Sequence, residues 1–232
     1  MRNKYLFFLI ILIVSKLFYF NVNSTEQFNF DVTEIEISQN GEVIKGIKKG
    51  TVSTNNGITI TADTFIYKKL LNILTAKGNV LIKDDKRDVE IYSDNVIYNK
   101  NKEIITTNKN SKAIYGIGKS IFADSFRFYR NKNILNATGD VRIEDTLNNY
   151  LITGNNFNYF IDSEKIISKG KTDAFLKSKY KINTEDIVYL LKENNLSSLK
   201  KTKITDNNSK VYFAENFNYS INQEIFKGEK IL

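Results

Sequence analysis

An internal repeat of 30 to 31 residues is the feature that most constrains how this chain folds. An acidic or amide position, followed by an apolar and then an aromatic residue, recurs six times at spacings of 31, 30, 31, 30 and 30 residues. The six segments begin at Ala62, Ser93, Ala123, Gly154, Thr184 and Ala214. Because a fixed period of this length is typical of stacked architectures, we predict that the chain is built by adding one structural unit after another.

Each unit has the residue pattern of a β-strand that turns a corner. In the first unit Ile60 and Ala62 precede the acidic Asp63, whereas Phe65 and Tyr67 follow it with the opposite parity. Alternating apolar residues indicate a strand with one buried face, and a parity shift of one residue indicates a bulge or bend. A polar stretch and a second strand follow, so each unit is predicted to be strand, corner, turn and strand.

We predict that residues 1–24 form a secretory signal peptide and that residues 25–232 form one elongated domain. Arg2 and Lys4 precede the apolar run from Tyr5 to Val14, which is the usual order in such peptides. The alternative is an uncleaved anchor, but Lys16 interrupts the apolar segment before it reaches the roughly 20 residues of a spanning helix. The even spread of the repeat leaves no position for a linker between domains.

The composition argues against an enzyme, a metal site, a cofactor or a nucleic-acid partner. No His and no Cys occur, which removes the commonest general base, the commonest metal ligand and the thiolate nucleophile. The formal net charge of +8 is spread along the chain and forms no compact basic cluster. The recurring acids could pair as in glycosidases, but a residue that repeats with a corner is explained by the corner. They are Asp63, Asp94, Asp124, Glu185 and Glu215.

Two units resemble the motif of the organic-solvent-tolerance (OstA-like) family, in which an Ala-Asp…Tyr strand precedes an Ala-x-Gly-Asn-Val strand. The matching residues are Ala62-Asp63 and Tyr67 with Ala76-Lys77-Gly78-Asn79-Val80, and Ala123-Asp124 and Phe128 with Ala137-Thr138-Gly139-Asp140-Val141. The family comprises the lipopolysaccharide carrier LptA, the anchored LptC and the periplasmic N-terminal domain of LptD. The resemblance covers about residues 28 to 232, and the sequence from Phe28 to Ile35 with the number of units favours the LptD domain or a stand-alone, LptA-like relative.

The resemblance implies an all-β fold, an elongated open β-jellyroll whose strands, bent into a V, enclose an apolar trough for the acyl chains of lipopolysaccharide. It also implies a periplasmic, outer-membrane-associated module that passes lipopolysaccharide along without altering it. The implied partners are lipopolysaccharide, other jellyroll proteins of the family joined edge to edge, and an outer-membrane barrel. The expected trough-lining residues are Ile60, Phe65, Tyr67, Ile91, Val96, Tyr98, Ile121, Phe126, Phe128, Ile152, Phe157, Tyr159, Ile187 and Tyr189.

Two other hypotheses stay open at this point. In a β-repeat adhesin or structural protein the repeats would serve only to extend the molecule, and the interior would be filled by side chains without a lipid ligand. A carbohydrate-active enzyme on a parallel β-helix fits less well, because alternating strands and turns suit an antiparallel arrangement better.

The jellyroll hypothesis further expects small corner residues such as Ala62 and Gly154 to leave room for a lipid chain.

Overall fold

The computed structural model describes residues 28–230, which form an all-β protein. The strands are β1 (Asn29–Ser38), β2 (Val43–Ser53), β3 (Ile58–Ala62), β4 (Thr64–Lys68), β5 (Ile73–Asp84), β6 (Val89–Asn99), β7 (Ile104–Asn108), β8 (Ser111–Ile114), β9 (Lys119–Ala123), β10 (Ser125–Tyr129), β11 (Ile134–Asp145), β12 (Tyr150–Phe160), β13 (Lys165–Ser168), β14 (Lys171–Leu176), β15 (Tyr180–Glu185), β16 (Val188–Leu190), β17 (Asn195–Ser198), β18 (Thr202–Asp206), β19 (Val211–Ala214), β20 (Phe217–Ser220) and β21 (Ile225–Lys227). Short 3-10 turns lie at Gln39–Gly41 and Arg130–Lys132.

Antiparallel pairings arrange these strands as two sheets that share several long strands. Sheet A contains β4, β7, β10, β13, β16, β17, β20 and β21. Sheet B contains β3, β8, β9, β14, β15, β18 and β19. The long strands β1, β2, β5, β6, β11 and β12 contribute one part to each sheet. The two sheets are therefore the two arms of one stack of bent strands.

The bend lies at the acidic position of the unit. In the first unit β3 ends at Ala62 and β4 begins at Thr64, so Asp63 occupies the corner between them. On the neighbouring strand β5 the register shifts between Lys77 and Val80, where Gly78 has a φ of +77°. The Asp63 backbone N–H donates to the Gly78 carbonyl over 3.0 Å, which ties the two corners together. The parity shift in the sequence is therefore a real change of strand direction.

The apolar faces of sheets A and B meet in one hydrophobic cluster that extends from Phe28 to Ile221. The predicted fold class, an all-β jellyroll of stacked and bent strands, is confirmed. Within residues 28–230, no helix combines the length and the apolar character that crossing a membrane requires. The predicted signal peptide at residues 1–24 lies outside the described part of the chain, and the domain boundary at residue 25 stays a prediction.

Candidate functional site

All fourteen residues that the sequence singled out lie in the interior between the two sheets. They belong to the single hydrophobic cluster, and each is at most 5% exposed. The members from sheet A include Phe65 and Tyr67, and those from sheet B include Ile60 and Ile91. The alternation of apolar residues along each strand, with its shift at the corner, therefore agrees with the side chains that face the interior in both arms. The interior is closed to solvent along these residues.

The turns at the free ends of the two arms approach each other and form the line that we call the mouth. In sheet A these turns lie at 69–72, 100–103, 130–133, 161–164, 191–194 and 221–224. In sheet B they lie at 54–57, 85–88, 115–118, 146–149, 177–179 and 207–210. Contacts across the mouth therefore determine how firmly the two arms are held together.

A buried charged group, the Arg130 cluster, closes the N-terminal half of the mouth. Arg130 of sheet A donates from Nε to Oδ2 of Asp84, at the sheet B end of β5, over 2.9 Å. Its Nη1 donates to the hydroxyl of Tyr98 over 2.9 Å and to the carboxylate of Glu103. Arg87 of sheet B donates to Asp84 and, over 2.5 Å, to the carbonyl of Arg130. These five residues join sheet A to sheet B by charge-assisted hydrogen bonds.

Electrostatics favours the charged forms in this cluster despite its burial. Burial raises the pKa of Glu103, but hydrogen bonds from Tyr98 and Lys100 and the charge of Arg130 outweigh it, so this pKa lies below its ordinary value. Burial lowers the pKa of Arg130, but the hydrogen bond to Asp84 outweighs it, so this pKa is raised. Glu103 and Arg130 therefore stay ionised near neutral pH, as a hydrogen-bonded pair inside the protein.

A second bridge crosses the mouth near its C-terminal end. Lys177 and Lys179 of sheet B donate to the two carboxylate oxygens of Glu224 in sheet A over 2.8 and 2.5 Å. Hydrogen bonds from Lys177 and Lys179 lower the pKa of Glu224 to about 2. All three side chains are partly exposed, so solvent screens this bridge more than it screens the Arg130 cluster.

The two ends of the interior differ in exposure. At the N-terminal end Ile37 pairs with Ile44, which pairs with Tyr67, so Ile37 lies on the inner face of sheet A. Ile35 and Ile37 are nevertheless 47% and 66% exposed. At the C-terminal end Phe226 packs on the ring of Tyr219 at a centroid distance of 4.3 Å and covers it. At the N-terminal end Phe28 likewise packs on the ring of Tyr67, at a centroid distance of 4.9 Å. Aromatic rings therefore cover the interior at both ends, and the exposed inner-face residues at the N-terminal end are those of β1.

The corner side of the interior is more polar than the sequence suggested. Hydroxyl groups bond to one another there, as in Thr107 with Ser111 over 2.6 Å and Ser168 with Thr172 over 2.7 Å. A Cβ added at Gly154 would lie 3.0 Å from the ring of Phe157, so no spare room exists at that corner. Sequence reasoning missed these pairs, although Ser or Thr four residues apart recurs at 107/111, 168/172 and 198/202.

The acidic column lies on the corner, not in the interior. The carboxylate of Asp63 accepts a hydrogen bond from Asn79 over 2.8 Å, and that of Asp94 accepts one from Asn110 over 3.0 Å. Each pair stays within its own unit and fixes the local bend. Over residues 28–230, no group of three or more acidic side chains has a geometry suited to a metal ion. The contacts of the acidic column are therefore those of residues that stabilise a bend in the strand.

Sequence reasoning also missed the Arg130 cluster, because only one unit of the repeat contains it. Arg130 lies in a stretch that indicates a turn, and its counterparts one and two units later are Ile161 and Leu191. Arg130 is therefore recognisable in the sequence only as a basic residue at a position where the next two units have an apolar one.

Comparisons with known proteins add little to this geometry. No family model matches the chain, and no curated protein matches it. Among solved structures, the chain is similar to LptH from Pseudomonas aeruginosa, the LptA-homologous periplasmic component of the conserved lipopolysaccharide transport device. The identity is 16% and the TM-score 0.44, over 49% of this chain and 83% of LptH. At this level the likeness carries no argument about function, so the proposal below rests on the chain itself.

Proposed function

We propose that this chain binds lipopolysaccharide in its apolar interior and passes it through the periplasm towards the outer membrane. The observation that carries the proposal is the continuous hydrophobic cluster from Phe28 to Ile221, enclosed by two sheets along the length of the molecule. Such an interior holds acyl chains through burial of apolar surface, at roughly 25 cal/mol per Å², and needs no catalytic group. The motif that resembles the OstA-like family supports the same ligand class.

The ends of the molecule support a role in a bridge of several jellyrolls. Among the described residues, β1 pairs only with β2, and β19 and β21 each pair with one strand. Strands at such edges have backbone groups free to pair with another chain. Edge-to-edge addition at β1 would cover Ile35 and Ile37 and join two interiors. We propose as partners other jellyroll proteins of this family and an outer-membrane barrel, with the LptD N-terminal domain as the nearest role.

A structural or adhesin role without a lipid ligand is the second candidate. The observation that favours it is the closed interior, in which the fourteen predicted lining residues are at most 5% exposed. The two candidates differ in what the purified protein contains. A lipid-transport module releases bound lipid on solvent extraction, whereas a structural repeat protein releases none.

Photo-crosslinking tests the lipid-binding proposal directly. A photoreactive amino acid in place of Phe126 or Phe157, both buried in the interior, is expected to capture added lipopolysaccharide. The same amino acid at Arg127 or Asn158, which have the opposite parity, is expected to capture none. Equal capture at both pairs of positions, or at neither, would contradict the proposal.

A further inference from the structure

The mouth contains a buried carboxylate that lacks the arginine found at the equivalent place in the Arg130 cluster. Asp145 ends β11 in sheet B, two units after Asp84, and is 2% exposed. The residue of sheet A two units after Arg130 is Leu191. Asp145 accepts hydrogen bonds from the backbone and side chain of Asn148, over 3.0 and 2.9 Å. Within residues 28–230, no ion pair involves this carboxylate.

Tyrosine hydroxyl groups without partners lie on the same side of the interior. The hydroxyl oxygens of Tyr115, Tyr150, Tyr189 and Tyr219 are buried and have no hydrogen-bond partner among the described residues. In the N-terminal half the corresponding hydroxyls are bonded: Tyr67 donates to Asn72 over 2.9 Å. Because a buried polar group without a partner is destabilising, four such groups on one side of an interior indicate a site for a ligand.

These groups lie together. The rings of Tyr150 and Tyr189 pack edge to face with centroids 6.4 Å apart, which connects sheet B to sheet A. Burial raises the pKa values of Tyr115, Tyr150 and Tyr189, and the charge of Asp145 raises each of them further. Asp145 also pairs directly with Tyr150 in the register of β11 and β12. The carboxylate of Asp145 and the free hydroxyls of Tyr150 and Tyr189 therefore lie in one region of the mouth, which we call the Asp145 site.

A cleft leads to this site from outside. It has a volume of about 440 Å³ and lies at the mouth end of sheet B. Its lining includes Asp145, Tyr150, Phe175 and Ser178. Asp145 and Tyr150 therefore lie at the wall of a space that a ligand can enter.

We propose that the Asp145 site binds the polar junction of an amphiphile whose acyl chain is attached through an amide. The amide N–H donates to the carboxylate of Asp145, and the carbonyl oxygen accepts from the hydroxyls of Tyr150 and Tyr189, while the chain extends into the interior. An ester offers only acceptors and cannot add a donor to the two that Asn148 supplies to Asp145, and a phosphate would be repelled by the charge of this carboxylate. This inference rests on the proposed lipid-binding function and assigns it a position and a chemical group.

A matched pair of probes tests the site. N-myristoyl glucosamine contains the amide, whereas myristyl glucoside has a chain of similar length and no amide. Below their critical micelle concentrations, calorimetry with the full-length protein is expected to show roughly tenfold tighter binding of the amide, the worth of one to two hydrogen bonds. Tyr150→Phe and Tyr189→Phe are each expected to remove most of this preference. Tyr92→Phe is the matched control, because the Tyr92 hydroxyl binds Glu90 on the outer face.

The outcomes separate the inference from the function on which it rests. Equal affinity of wild-type protein for the two probes would overturn the Asp145 site and leave the lipid-binding function standing. Binding of neither probe would overturn both. Urea unfolding without lipid adds an independent measurement: Tyr150→Phe and Tyr189→Phe should not lower the unfolding midpoint, because neither hydroxyl has a partner to lose. A lowered midpoint in both variants would also contradict the inference.

Discussion

At the scale of single residues, the chemistry of the mouth is determined by the positions at which the units differ from one another. Arg130 and Asp84 cross the mouth in one unit, and Leu191 and Asp145 occupy the equivalent places two units later. The first pair neutralises its charges inside the protein, whereas the second leaves a carboxylate that, among residues 28–230, accepts side-chain and backbone hydrogen bonds from Asn148 and forms no ion pair. Two halves with the same backbone therefore have different chemistry at the mouth.

Arg130→Met should destabilise the protein strongly. The substitution removes one cation from the carboxylates of Asp84 and Glu103, which keep ion pairs with Arg87 and Lys100. Loss of one partner of a buried ion pair costs up to about 3 to 5 kcal/mol. Denaturant unfolding measures this. Lys83→Met is the control, because its pair with Glu90 lies exposed on the outer face, and it should cost less than about 1 kcal/mol. Equal costs for the two variants would show that the cluster does not hold the arms together.

The buried tyrosines should make the fold sensitive to high pH. Burial, assisted by the charge of a nearby glutamate, raises the pKa of Tyr159 to about 12, and burial likewise raises that of Tyr219 to about 12. An unfolded chain ionises tyrosine near pH 10, so these groups contribute stability below about pH 10 that is lost between about pH 10 and 12.

Urea midpoints measured across this alkaline range, with tyrosinate absorbance followed in parallel, check the prediction. Stability should fall as pH rises, and Tyr159→Phe should make the fall shallower because one buried ionisable hydroxyl is gone. Ionisation of all tyrosines at their ordinary pKa in the folded protein would contradict it.

At the scale of the element, the corner sets the shape of each unit. Gly139, like Gly78, has a positive φ, and its backbone carbonyl accepts a hydrogen bond from the N–H of Asp124 over 2.9 Å. The acidic side chain then lies directly against the glycine, where a Cβ would be 2.7 Å from the Asp124 Cγ. Glycine and acid are therefore needed together, which explains why both parts of the motif recur.

Gly139→Ala should cost more stability than Gly170→Ala. Both glycines have positive φ, +78° and +82°, so each substitution incurs a backbone strain of about 1 to 2 kcal/mol. Gly139→Ala adds a clash with Asp124, whereas a Cβ at Gly170 meets no atom within 4 Å. Thermal and urea unfolding of the two variants check this. A smaller loss for Gly139→Ala than for Gly170→Ala would contradict the packing of the corner.

At the scale of the whole molecule, the mouth is bridged at two places and apolar residues of β1 are exposed at the N-terminal end. Sheet A and sheet B are joined along the mouth by the Arg130 cluster and by the bridge at Glu224. The inner face is exposed at Ile35 and Ile37, beside the unpaired edge of β1. The end of the stack therefore offers apolar surface and free backbone groups together.

Ile35→Lys combined with Ile37→Lys should weaken end-to-end association. Inward-pointing charges on an edge strand oppose pairing with a second chain, because they would be buried in the joined interior. Sedimentation across a concentration series, alone and with a jellyroll partner, measures the effect. Leu199→Lys is the control, since Leu199 is 89% exposed at a corner turn away from this edge. A wild-type chain that stays monomeric under all these conditions would exclude the bridge.

The sequence by itself determined the fold class, the position of the corners and the inner face of each strand, because these depend on local periodicity. The parity shift at Asp63 and the burial of Phe65 and Tyr67 follow from it directly. Only the tertiary structure decided which turns meet across the mouth, because Arg130 and Asp84 come from different units. The same holds for Asp145 and the tyrosine hydroxyls around it. Such contacts depend on how the two sheets face each other, and the local periodicity of the sequence contains no information about that arrangement.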